Sequence, residues 1–126
     1  MIERLTSFPD YVVAVRASGE VTRSDYLQTV VPAAEMAMEK HAKVRVFMEI
    51  DEDADPSLGM IMEDAVFATR HLMSWGRIAI VSDAGWVKRA YAFLRPILPF
   101  EMKLFSKGEA NAARIWITED ATTDNG

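Results

Sequence analysis

The chain has 126 residues, of which 50% are hydrophobic and 26% charged, with a net charge of −5. This length suffices for one domain that buries about two-thirds of its unfolded surface, and an acidic balance excludes nucleic-acid binding driven by counterion release. The absence of cysteine excludes disulfides, thiolate metal sites and cysteine nucleophiles.

The opening segment, MIERLTSFPD, has neither the basic stretch nor the apolar run of a signal peptide. No apolar run approaches the roughly 20 residues that span a bilayer. The expectation is a cytoplasmic protein without a transmembrane segment. Residues 2–6 and 11–17 read as two strands separated by the turn residues Ser7, Phe8, Pro9 and Asp10, a spacing that requires an antiparallel hairpin. Thr22 and Asp25 form a capping-box pattern, with Val21 and Tyr26 placed as a hydrophobic staple, and predict a helix to about residue 42. Leu27, Val30, Val31, Ala34, Met38 and His41 form its expected inner face. Pro32 interrupts that pattern and predicts a kink, or a helix that begins just before it.

The centre of the chain is KVRVFMEIDEDAD, residues 43–55. Val44, Val46, Met48 and Ile50 alternate with Arg45, Phe47 and Glu49, the period of a strand with one well-buried face. Asp55 and Pro56 read as the N-cap and first residue of a helix over 56–74. That helix is apolar on more than one side, through Leu58, Ile61, Met62, Ala65, Val66, Phe67, Leu72 and Met73. It is therefore buried widely or faces something outside this chain. A strand over 77–82, a helix over 84–95 capped by Asp83, and a strand over 100–105 follow. Ser106 and Glu109 repeat the capping-box pattern ahead of a last helix to about residue 118, and the polar residues 119–126 are expected to be disordered.

These elements predict a single α/β domain over 1–118: a mostly parallel β-sheet, an N-terminal antiparallel hairpin strand and four helices. Arg16, Arg45, Glu49, Arg77, Glu101 and Lys103 share one strand parity, so one sheet face has charged ends and an apolar centre. The last helix, a second copy of the chain or a ligand could cover it.

The strings MIERLTSFPDYVVAVRASGEVTRSDY, VPAAE, KVRVFMEID, RIAIVSDAGW and PFEMKLF resemble the SpoIIAA-like family of small bacterial proteins, distant relatives of STAS domains and of the lipid-binding CRAL-TRIO domains. The resemblance covers residues 1 to about 118 and implies a β-α repeating sheet with helices; it carries no catalytic signature. In STAS proteins of the anti-sigma-factor antagonist type, a phosphorylatable serine opens the helix after the corresponding strand, in a D-S-S-G-like motif. The resemblance places Ser57 there, within Asp55-Pro56-Ser57-Leu58-Gly59, a string that departs from the motif at Pro56 and Leu58.

Three groups of residues invite a function. Glu49, Asp51, Glu52, Asp53 and Asp55 crowd the carboxyl end of a parallel strand, where open α/β sheets bind ligands. Asp51, Asp53 and Asp55 match the start of an EF-hand loop, but Pro56 replaces its glycine and Glu63 lies one place beyond its last ligand. The plainer reading is a solvated loop with no metal. Ser57 beside a helix N-terminus would seat a phosphate, although the neighbouring carboxylates repel one. Between residues 84 and 107, Lys88, Arg89, Arg95, Lys103 and Lys107 face only Glu101 and interleave with Trp86, Tyr91, Phe93, Leu94 and Phe100. Such a helix suits an anionic lipid surface, or a core position with a solvated basic face.

The expected function is accordingly non-enzymatic, with no cofactor: an interaction or regulatory domain acting as a homodimer or on a protein partner. The alternative is carriage of a lipid or apolar ligand in a pocket of Met62, Phe67, Trp86 and Leu94, with Lys88 and Arg89 at the head group.

Overall fold

The computed structural model describes residues 1–120. In chain order the strands are β1 (Ile2–Arg4), β2 (Val12–Ala17), β3 (Glu20–Val21), β4 (Val44–Ile50), β5 (Asp55–Pro56), β6 (Trp75–Val81) and β7 (Glu101–Phe105). The helices are α1 (23–40), α2 (Leu58–Arg70), α3 (Gly85–Leu94) and α4 (Ala110–Thr118). The main sheet has the order β1-β2-β4-β6-β7, antiparallel at β1 and parallel elsewhere, while β3 and β5 pair separately. This is the expected mixed α/β sheet with its antiparallel hairpin strand and four helices.

The strand period places two different cores on the two faces. Val13, Val15, Val44, Ile50 and Ile80 join Tyr26, Ala34, Phe67 and Val87, so α1, α2 and α3 cover one face. Val12, Ala14, Phe47, Ala79, Val81 and Phe105 join Ala113 and Ile117 on the other. There the register sets Phe47 between Ala14 and Ala79, and the small flanking side chains leave room for its ring.

The second face is the one with charged ends, and α4 covers its apolar centre. Arg45 is only 1% exposed. Its Nη1 donates to the carbonyls of Ile117 (3.0 Å) and Glu119. Arg77 Nη1 donates to the carbonyl of Trp116 at 2.9 Å, and its guanidinium lies 4.9 Å from the Trp116 ring centroid. The charged parity thus supplies donors to the unsatisfied carbonyls at the negative end of α4.

Several local expectations are refined or corrected. At Pro32 the second of the two expected outcomes is found: the regular α-helical run begins at Val31, just before the proline, and the chain ahead of it widens into a π-helical stretch, Tyr26–Val30, in which the Val31 N–H reaches back to the Tyr26 carbonyl. A proline cannot donate to the preceding turn, and the extra residue relieves the clash of its ring with that turn. The buried face of α1 is Tyr26, Ala33, Ala34 and Ala37, with Leu27 turned outward. Second, Asp55 and Pro56 do not start α2: the Asp55 N–H donates to the Gly19 carbonyl and the pair forms β5, which moves the N-cap to Ser57. The strand after α2 likewise starts earlier, at Trp75, and Asp83 does not cap α3, because its carboxylate accepts from the Lys107 N–H at 3.3 Å. Third, Glu119 and Asp120 begin the expected disordered tail, yet Arg45 and Arg77 hold the Glu119 carbonyl and Arg77 lies 3.6 Å from the Asp120 carboxylate. The rest of that tail, 121–126, lies outside the described residues.

Replacing Arg45 by Met should keep the fold but remove its charged donor from the Ile117 carbonyl, while Arg77 still reaches the carbonyl of Glu119. Charge-assisted hydrogen bonds of this kind contribute about 1.5–3 kcal/mol. Urea unfolding should show a loss of about 2 kcal/mol with an unchanged denaturant slope.

Candidate functional site

The carboxyl ends of β2 and β4 present the first candidate. Asp51 follows β4 directly, and its N–H donates to the Ala17 carbonyl, extending the parallel ladder by one bond. This fixes its carboxylate between Arg16 Nη2 (3.1 Å) and Lys107 Nζ (3.4 Å). The Arg16 hydrogen bond, with Lys107 adding to it, holds the Asp51 carboxyl below the usual aspartate range. The hollow here, about 170 Å³, is lined by Arg16, Glu49, Asp51, Val81, Lys107 and Ala110. Its two cations and two carboxylates balance, so it carries little net charge with which to draw an ionic ligand.

The rest of the acidic run disperses. Asp53 Oδ1 accepts the Gly19 N–H at 3.3 Å, where glycine's positive φ of 57° makes the turn. Asp55 is fixed in β5, and Glu52 is exposed. Asp51, Asp53 and Asp55 therefore serve three separate local structures, and no group of three carboxylates or histidines able to hold a metal occurs among the described residues. Ser57 does open α2, as the resemblance implied, but its Oγ already accepts the Met60 N–H at 3.1 Å as the helix cap.

The residues expected to line one apolar pocket are not brought together. Phe67 is buried among the rings of Tyr26, His71 and Trp75, at centroid distances of 6.4, 4.7 and 6.0 Å. Met62 lies on the outside of the same helix, 60% exposed. On α3 only Val87 is buried; Trp86, Lys88, Arg89 and Leu94 are exposed. The outer side of α2 is apolar: Leu58, Ile61, Met62 and Val66 are all exposed, and Phe67 is the sole buried residue of the helix. Of the two readings of this helix, wide burial does not hold: its apolar outer side is open to solvent.

A polar contact ties α2 to α1. Tyr26 Oη donates to Asp64 Oδ1 at 2.7 Å. Desolvation pushes the Asp64 carboxyl up, and the Tyr26 hydrogen bond offsets part of that rise. Burial, followed by the nearby Asp64 charge, pushes the Tyr26 hydroxyl up.

A second hollow was not anticipated. It runs along β7, about 570 Å³, between Tyr91 and Arg95 of α3 and Trp116 of α4. Among the described residues β7 pairs only with β6, so this groove exposes a sheet edge. The signal available in the sequence was the order of the crossovers: a last strand with no successor to pair with ends the ladder.

The sequence pattern of the SpoIIAA-like family matches residues 12–118. Among solved structures, the chain is similar to an uncharacterised protein of Shewanella loihica PV-4 with a SpoIIAA-like fold. The TM-score is 0.69 at 23% identity, over 93% of this chain and 92% of that one. At that identity the likeness is one of fold. No curated protein matches the chain.

Two carboxyls should shape the pH dependence of stability in opposite directions. Asp51 is lowered from 3.8, so its contribution is present above that value and is lost as the pH falls through the lowered pKa. Asp51→Asn should cost about 1 kcal/mol near neutrality and flatten the acid limb of thermal unfolding. Asp64 is raised from 3.8, so its folded state is favoured at low pH and loses that advantage as the pH rises through the raised value. Asp64→Asn keeps an acceptor for Tyr26 and should remove this decline, raising the melting temperature at neutral pH relative to the wild type.

Proposed function

The chain belongs to the SpoIIAA-like family, and on that premise we propose that it is a non-enzymatic, STAS-like interaction domain of the cytoplasm, a homodimer that docks a protein partner on the outer face of α2. The observation that carries this reading is the burial of α2. A helix of 13 residues buries only Phe67 and turns Leu58, Ile61, Met62 and Val66 to solvent. These four stand at helical i, i+3, i+4 and i+8 spacing and form one stripe, as an amphipathic helix presents to a partner.

Physical chemistry supports the same conclusion. Solvent-facing apolar stripes mark association sites, because covering each large side chain contributes about 1.5–3 kcal/mol. Ser57 caps the helix and Phe67 anchors it through the aromatic cluster with Tyr26 and Trp75, so the stripe is presented on a firm element. Lipid carriage is less well supported, since Met62 and Phe67 point to opposite sides of α2 and would not line one cavity. The balanced charges around Asp51 favour a structural role there over an acid–base one.

A photo-reactive amino acid placed at Ile61 in cells, with Glu35 on α1 as the control position, tests the reading. A discrete protein adduct at 61 and none at 35 is the expected outcome. Adducts with lipid alone would replace it by the carriage reading, and equal labelling at both positions would sink it.

A further inference from the structure

The open edge of β7 has a pattern that matches itself. Ser82 N–H donates to the Phe105 carbonyl at 2.9 Å. The N–H and C=O of one strand residue point the same way and alternate along the strand. Glu101, Lys103 and Phe105 therefore bond to β6, while Met102 and Leu104 turn their backbone groups to the open edge. Tyr91 confirms this parity: its hydroxyl donates to the Met102 carbonyl at 3.2 Å from outside the ladder. That carbonyl keeps a second lone pair for another donor.

We propose that two copies of the chain join through β7, antiparallel about a twofold axis at Met102, making one continuous ten-stranded sheet. The number follows from two copies of the five-stranded sheet. This inference rests on the reading that the protein works as a dimer, and it names the interface. At this register Met102 faces Met102 of the second copy, and Phe100 faces Leu104, all outward-bonding positions on the apolar parity. On the other parity Glu101 faces Lys103 of the second copy, and Lys103 faces its Glu101. Both side chains are exposed.

The charges select this register over its neighbours. A hydrogen-bonded antiparallel pair must match outward-bonding residues with each other, so the twofold axis sits at a residue and moves in whole-residue steps. Moving it to Glu101 sets Glu against Glu; moving it to Lys103 sets Lys against Lys. Directly opposed like charges destabilise a strand pair and unlike charges stabilise it. Among pairings made wholly within β7, only the axis at Met102 gives two favourable pairs. The groove along β7, about 570 Å³, leaves room for the incoming strand between α3 and α4. An uncovered edge strand invites such pairing, and a closed dimer uses up both edges.

The test uses the full chain. Analytical ultracentrifugation should show a dimer for the wild type. Glu101→Lys and Lys103→Glu should each dissociate more readily, at least about tenfold, because each creates two like-charge pairs. Mixed in equal amounts, the two variants should form a heterodimer, seen by native mass spectrometry, since one then presents two lysines and the other two glutamates. The double variant E101K/K103E should restore self-association. Because the protein has no cysteine, Met102→Cys offers a further check: the symmetric pair would lie about 5.5 Å apart between Cα atoms, within disulfide reach. Oxidation should give a covalent dimer with circular dichroism like the wild type's. A wild-type dimer that the charge reversals leave unchanged, but that Ile61→Glu dissociates, would overturn the β7 interface and keep the dimeric reading. A wild type that stays monomeric would overturn both.

Discussion

The fold depends on the closing of one sheet face by a single short helix. Arg45 sits in the middle strand of a sheet and is almost wholly buried, an arrangement that is tolerable only if its guanidinium finds acceptors. The carbonyl end of α4 supplies them, at Ile117 and Glu119, and Arg77 beside it takes the carbonyl of Trp116. The apolar contacts of Ala113 and Ile117 with Phe47 and Phe105 bring α4 down onto the sheet. The two arginines then set where its last turn lies. The two halves support each other: the helix end places carbonyl acceptors in front of guanidinium groups on the sheet, and the arginines give those carbonyls charged donors.

The opposite face has more helix than it needs. Three helices cover it, and α1 carries most of its close packing through Tyr26 and a run of alanines. α2 is attached by Phe67, by the partly buried Met60, by the Tyr26–Asp64 hydrogen bond and by the Arg23–Glu63 ion pair, while Leu58, Ile61, Met62 and Val66 face water. An element held by few buried side chains, with an apolar outer surface, is ready to bind without rearranging the sheet. At the strand ends, Asp51 is matched to Arg16 and Lys107, and Asp53 to the Gly19 backbone.

These features divide the surface by role. Asp51 and Asp53 at the strand ends are paired within the chain, the α2 face is apolar, and the β7 edge combines outward-turned backbone groups with alternating charge. The proposed docking face and the proposed dimer edge are surfaces of the second and third kinds: one would bury side chains, the other would extend a hydrogen-bonded ladder. They lie on different elements, so a dimer built through β7 leaves the α2 stripe available.

Much of the fold was legible in the residues. Period-two alternation in 44–50, the capping boxes at Thr22 and Ser106, and the alternation of strand and helix determined the mixed sheet and its helices, because these are local patterns with local causes. The sequence also determined that one parity of the strands is charged, and that α2 is too apolar for an ordinary surface helix. Only the tertiary structure decided what meets those features. α4, rather than another molecule, covers the charged-ended face; Asp55 belongs to a strand, because the Gly19 carbonyl captures its N–H; and Phe67 and Met62 lie on opposite sides of one helix. Each of these turns on a contact between residues far apart in the chain, and such contacts are selected by packing and hydrogen-bond satisfaction over the whole domain, which no local window of sequence contains.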